Sequence, residues 1–375
     1  MGVYLDNAAT TYMYDEVVEA MWPYYSKAFY NPSASYADSR RVKDKIDECR
    51  QELAGLIGAL PEEIYFTSGG TESNNWVCNE AGRRGFHIIS SEIEHNAILN
   101  PLAEYKRRGG RVTFVSVNNE GEVHPEIIKR NINSKTGLIS IMMANNEIGT
   151  IEPIEKIGHI AKEYGVLFHS DGVQAFGHIP IDVNKCNLDM LSVSSHKFHG
   201  PKGVGFLYVR KNTKIKPFIL GGGQEFGMRA GTENVPGIVG MTTAARISCK
   251  NLKNNMKILT DIRNHMISRL QKEISDIRVN GSLNERLPNN INFSVKGVDG
   301  KSALILLEME GIYASAGSAC SAMHTEPSHV LKAIKLEDDY IGGTIRISMD
   351  ESMNFRKADW IIDVIVKIIK KIKKI

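Results

Sequence analysis

Seven short apolar runs rich in β-branched residues recur through the first part of the chain, at residues 64–67, 87–90, 112–117, 138–143, 166–169, 190–193 and 204–209. They are nearly continuously apolar instead of alternating, the pattern of strands buried on both faces of a mostly parallel sheet. Parallel strands need crossover connections, and the stretches between the runs, such as 96–108 and 154–164, have helical length and spacing. This alternation predicts an α/β fold in which residues 15–250 form a large domain around a seven-stranded, mostly parallel sheet. From about residue 247 the character changes. A long amphipathic helix is expected over 252–274, short strands over 290–295 and 344–348, and a final helix whose Ile361, Val364, Ile365, Ile368, Ile369 and Ile372 share one stripe. Residues 251–375 are expected to form a smaller α+β domain, to which residues 1–14 are assigned.

The formal net charge is only +3, and Lys367, Lys370, Lys371, Lys373 and Lys374 crowd the polar face of the last helix. No direct nucleic-acid binding is implied. No apolar run approaches the ~20 residues of a membrane span, and the first residues lack the basic and apolar regions of a signal peptide. The five cysteines are scattered, with no CxxC pair, so neither a disulfide framework nor a structural zinc site is expected, and a cytoplasmic location is.

Several segments could carry chemistry. Phe66-Thr67-Ser68-Gly69-Gly70-Thr71-Glu72-Ser73-Asn74 reads as a strand end, a tight turn and a helix start, which suits a phosphate or is merely a helix capped by Ser68 or Thr71. Asp171 lies just past an apolar strand, where open α/β sheets gather ligands, or else caps a helix. In Ser194-Ser195-His196-Lys197 a lysine ends a strand, placed to act as an amine nucleophile if it is not simply solvated. A phosphate cradle, an acid for a pyridinium nitrogen and a strand-end lysine are together what a protein supplies to pyridoxal 5'-phosphate. An imidazole at His95 could stack on the ring or move protons. Cys320 sits among small residues, in Ser318-Ala319-Cys320-Ser321, as a reactive thiol in an adaptable loop would, or else is a buried, inert thiol; the other four cysteines lie in apolar or helical context. Arg346, on a short alternating strand, is either a carboxylate clamp or one half of a surface ion pair.

These residues resemble the NifS/IscS-type cysteine desulfurases, in the class V aminotransferase group of pyridoxal-phosphate enzymes (fold type I). The resemblance rests on Tyr4-Leu5-Asp6-Asn7-Ala8-Ala9-Thr10-Thr11, on the segments around Thr67–Asn74, Glu94-His95, Asn145-Asn146-Glu147, Asp171-Gly172-Val173-Gln174 and Lys197, and on Ser318-Ala319-Cys320. It implies that Lys197 binds the cofactor as a Schiff base and shuttles the substrate's α-proton. It implies that Asp171 pairs with the ring nitrogen, Gln174 bonds the ring oxygen and His95 stacks on the ring. Gly70, Thr71, Ser194 and His196 would hold the phosphate, with Thr232 reaching that of the neighbouring subunit in a homodimer. Asn146 and Arg346 would bind the substrate carboxylate, with Asn31 bordering that pocket. L-Cysteine would give L-alanine and a persulfide on Cys320, passed to an acceptor protein such as an iron–sulfur scaffold or a thiolation enzyme. Tyr36 departs from the histidine of many relatives, and the lysine–isoleucine helix stands where some carry a scaffold-docking tail. Zinc bound by His169, Asp171, His196 and His199 would leave Lys197 and Cys320 idle, so no metal is expected.

Overall fold

Each of the seven apolar runs becomes a strand in the computed structural model, which describes residues 2–316 and 327–373. In chain order the strands are β1 (Val3–Tyr4), β2 (Ile64–Thr67), β3 (His87–Ser91), β4 (Arg111–Val115), β5 (Thr136–Ser140), β6 (Leu167–Asp171) and β7 (Met190–Ser194). They continue with β8 (Gly205–Val209), β9 (Ile277–Val279), β10 (Asn290–Val295), β11 (Ile312–Tyr313) and β12 (Thr344–Ser348). The large sheet has the order β2-β8-β7-β6-β5-β3-β4. It is parallel from β4 through β7, while β8 runs antiparallel to both its neighbours. The expected end of β6 was residue 169, where the apolar run stops. The strand continues to Asp171 because pairing with β7 continues, with Asp171 opposite Ser192. This places Asp171 on the sheet, at its carboxyl edge.

Helices Ala37–Ile57 and Val235–Lys250 pack on this sheet through such side chains as Val42, Ile46, Leu53, Ile238 and Met241. A separate apolar cluster surrounds the antiparallel sheet β12-β10-β9. It combines Leu5, Met266 and Leu270 of helix Leu252–Glu273, Phe293 of β10, and Ile361, Ile365 and Ile369 of helix Phe355–Ile372. The stripe read in the last helix lies within its buried face, which Ile362 and Val366 widen and at whose end Ile372 is only partly buried. β1 pairs in parallel with β11, tying the N-terminus to this second cluster. Val330, Leu331 and Ile334 cross back into the first. β12 was expected to alternate, yet it is buried along its whole length. Ile345 and Ile347 face the second cluster, while Ser348 bonds the N-terminal segment at Leu5 and Ala8. β1, β9 and β11 were not anticipated, since strands of two or three residues are too short to carry a periodic signal. Among the described residues, no helix is long and apolar enough to cross a membrane.

Candidate active site

A cavity of about 270 Å³ opens at the carboxyl ends of β6 and β7, where the start of helix Gly70–Arg83 and the N-terminal segment meet them. Its wall includes Gly70, Thr71, His95, Asn146, Asp171, Gln174, Ser194, His196, Lys197 and Arg346, residues scattered over most of the sequence. β2 delivers the chain to a turn at Gly69, whose φ of 145° only glycine tolerates readily. The helix begins at Gly70 with no capping side chain, so neither Ser68 nor Thr71 takes the cap role. A Cβ at Gly70 would come within 2.6 Å of Val173 Cγ2, so the bare backbone is needed for the helix start to approach this wall.

Asp171 is 5% exposed. Its Oδ1 accepts from the Val173 amide at 3.0 Å and its Oδ2 from Asn74 Nδ2 at 2.6 Å. It caps no helix. Asn74, the last residue of the glycine-turn motif, was not assigned a role from sequence. Its own Oδ1 is buried with no hydrogen-bond partner among the described residues. Two residues back on β6, His169 is fully buried between the Ser140 and Ser192 hydroxyls, each 2.9 Å from a ring nitrogen. Both nitrogens are therefore engaged, which removes His169 from any metal site. Among the described residues no group of His, Cys, Asp or Glu is arranged to hold a metal ion.

Burial pushes the His169 pKa down to about 3. Above the unfolded value of about 6.5 the imidazole is neutral in both states and its contribution is fully present. Below that value the unfolded chain takes up a proton that the native ring refuses. Stability is then expected to fall by about 1.4 kcal/mol per pH unit on this account. Denaturant unfolding of wild type and His169→Gln across about pH 7 to about pH 5 isolates the effect, with the wild type showing the steeper loss. Equal slopes would show that His169 does not titrate on unfolding.

Lys197 follows β7 in the tight turn Ser195–Lys197, and its Nζ donates to the backbone carbonyls of Ala8 and Ala9, both at 2.7 Å. Gln174 Nε2 also donates to Ala8, at 3.0 Å. His95 caps helix Asn96–Arg107 by accepting from the Ala97 amide at Nδ1, which leaves the neutral ring's proton on Nε2. Burial holds its pKa below the ordinary value, with the Asp171 charge opposing. Burial, reinforced by Lys197 and Lys202, pushes His196 down to about 4, so this imidazole is neutral near pH 7. Arg346 is not the surface ion pair that sequence left open: it is 1% exposed and paired with Asp6.

Two expected residues lie elsewhere. Thr232 is exposed and lines a second concavity with Gly203 and Arg229. Asn31 is exposed, accepts from the Ser33 amide and does not line the cavity. Cys320 falls outside the described residues. The residues that sequence reasoning left without a role are the N-terminal turn, Asn74 and His329, which joins the cavity wall and approaches the Glu94 carbonyl through Nε2 at 3.0 Å. The turn and Asn74 stood inside the motifs already singled out, but only as a signature.

Comparison with known proteins agrees with this fold. The pattern of the family described as aminotransferase class-V matches residues 3–359. A protein of Dictyoglomus turgidum named cysteine desulfurase IscS is 47% identical, over 100% of this chain and 96% of its own length. A solved NifS-like protein superposes with a TM-score of 0.92 at 36% identity, covering 99% of this chain and 100% of that one. A structure described as SspA in complex with cysteine matches with a TM-score of 0.82 at 35% identity, over 92% of this chain and 98% of its own. With a family pattern spanning nearly the whole sequence and full-length relatives at this identity, the chain belongs to the aminotransferase class-V family.

Proposed function

We propose that this chain is a cysteine desulfurase that uses pyridoxal 5'-phosphate to convert L-cysteine into L-alanine and a persulfide on Cys320. The observation that carries the reading is the convergence of Lys197, Asp171, Arg346 and a glycine-started helix on one cavity, in a chain whose full-length relative is named cysteine desulfurase. The residues fit the cofactor. The approach at Gly70 leaves room only for backbone, as a phosphate cradle requires, and Asn74 offers a buried acceptor beside Asp171.

Lys197 would hold the cofactor covalently through Nζ, Asp171 would face its ring nitrogen, Gln174 its ring oxygen and His95 its ring face. Gly70, Thr71, Ser194 and His196 would hold the phosphate, His196 as a neutral donor. Thr232 would serve the partner's site in a homodimer, a reading supported by its place away from the cavity and by the exposure of Trp22, Tyr25 and Phe29. When bound, the cofactor supplies an electron sink for charge developing at the substrate's α-carbon. Arg346 and Asn146 orient L-cysteine by its carboxylate. Lys197 Nζ moves the α-proton, and His95 Nε2 is the second group able to hold one. The Cys320 thiolate then takes the substrate's sulfur, forming a sulfur–sulfur bond as the carbon–sulfur bond breaks. The sulfur passes to an acceptor protein in the cytoplasm, for iron–sulfur cluster assembly or other thiolation. We assign residues 15–250 to a large cofactor-binding domain, and 1–14 with 251–375 to a smaller one. The seven-stranded and three-stranded sheets, each with an apolar cluster around it, support this division, with Val330, Leu331 and Ile334 packing across it.

The activity is tested by measuring L-alanine and sulfide from L-cysteine with a thiol reductant. Equal amounts of both are expected from the cofactor-loaded protein, and neither from a protein that is not a desulfurase. The cradle is tested separately. Gly70→Val places atoms against Val173, so cofactor affinity is expected to drop about tenfold or more by absorbance titration. Unchanged affinity would remove Gly70 from the phosphate site.

A further inference from the structure

Arg346 projects from β12 into the cavity wall and is 1% exposed. Its Nη1 donates to the backbone carbonyl of Asn146 at 2.9 Å and its Nη2 to Asp6 Oδ1 at 2.5 Å. Its Nε is buried with no partner among the described residues. A guanidinium this deep must be compensated by an anion, and without a ligand carboxylate the anion is Asp6. Asp6 is held where it is by backbone bonds on both sides. The Ser348 amide donates to the Leu5 carbonyl at 2.7 Å, and the Asn7 amide donates to Ser348 at 3.3 Å. The two partners differ in burial, with the Asp6 side chain 20% exposed against 1% for Arg346. An aspartate with access to solvent can yield its partner, and a buried arginine with a donor to spare can accept a new one.

We propose that Asp6 is a resident stand-in for the carboxylate of the amino-acid substrate: it keeps Arg346 compensated between turnovers and competes with substrate and product for it. The proposal rests on the reading above that Arg346 receives the substrate carboxylate. An incoming carboxylate meets a guanidinium already neutralised by another, so it binds less tightly than to an arginine with no counter-ion. The consequence for turnover is release. L-Alanine keeps the same carboxylate as L-cysteine, and Asp6 reclaims Arg346 as L-alanine leaves.

Asp6→Asn keeps the shape of the side chain and removes its charge. The cofactor-loaded wild type and variant are titrated with L-alanine and with ethylamine, which carries an amine but no carboxylate. L-Alanine is expected to bind the variant about tenfold more tightly, with the KM for L-cysteine falling in parallel and ethylamine unaffected. The variant without ligand is expected to melt at a lower temperature and to gain more from added L-alanine than the wild type does. L-Alanine affinity that is unchanged or weaker in the variant overturns the proposal, since Asp6 would then be a structural partner or an orienter of Arg346. A crystal structure of the loaded wild type with L-alanine gives a test that needs no variant. The Asp6–Nη2 contact is expected to lengthen as the alanine carboxylate engages Arg346, and an unaltered contact overturns the proposal. Failures are separable. If the wild type makes no L-alanine from L-cysteine yet Asp6→Asn tightens L-alanine binding, the stand-in survives and the activity falls. If turnover is normal and affinity does not rise, only the stand-in falls.

Discussion

Lys197→Ala is expected to reduce cysteine-dependent L-alanine formation by at least about 10³-fold, because in the proposed function one amine would both tether the cofactor and move the substrate proton. The position of that amine is set by two carbonyls. Ala8 and Ala9 each accept from Nζ at 2.7 Å, fixing the end of a long flexible side chain at the cavity wall. Removing it leaves both carbonyls without this donor, so folding and chemistry must be separated. Lys197→Arg supplies a cation that can still donate to them but cannot form the covalent link. Both variants are expected to lose activity, while Lys197→Arg stays within about 1 kcal/mol of wild type in denaturant unfolding. Borohydride reduction is expected to fix the cofactor to the wild-type chain and to neither variant. Activity of either variant within about tenfold of wild type would take Lys197 out of the chemistry.

Cys320→Ala is expected to cost at least about 100-fold in sulfide and L-alanine formation while leaving the cofactor's visible band and the unfolding midpoint unchanged. The thiolate is the reactive form, and an ordinary cysteine has a pKa of about 8.5. Burial pushes Cys186 and Cys249 up to about 11, and raises Cys49 and Cys78 as well. None of these four lines the cavity. Each is held as an inert thiol, so Cys249→Ala is expected to retain activity within about twofold. Wild-type rates from Cys320→Ala would mean that sulfur leaves the substrate by another route, as in a lyase of the same group.

Some parts of the site were legible because they are local. A strand that ends in an acid, a glycine pair before a helix and a lysine after a buried strand are each written within a few consecutive residues. For Asp171, Gly70 and Lys197 the structure gives the local settings that sequence suggested, with β6 reaching two residues further than its apolar run. The helix stripe from Ile361 to Ile372 was equally plain, since every apolar position on it repeats at helical spacing. Thr232 and Asn31 are different. Their proposed roles rest on resemblance, and in this chain both side chains lie off the cavity wall.

The alternation of buried strands and amphipathic helices, the seven strands of the large sheet and the residue types able to hold a phosphate, a ring nitrogen and a Schiff base were determined by the sequence itself, through patterns that neighbouring residues enforce on one another. Tertiary structure alone decided what completes those groups. Asp6 compensates Arg346 from 340 positions away, Ala8 receives Lys197 across 189, and Asn74 donates to Asp171 across 97. Hydrogen bonds and ion pairs of this kind impose no period on the residues around them. They depend on where β1, β12 and the edge of the large sheet come to rest, and that is fixed by burial of apolar neighbours such as Leu5, Ile345, Ile347 and Phe198, which belong to clusters gathered from the whole chain.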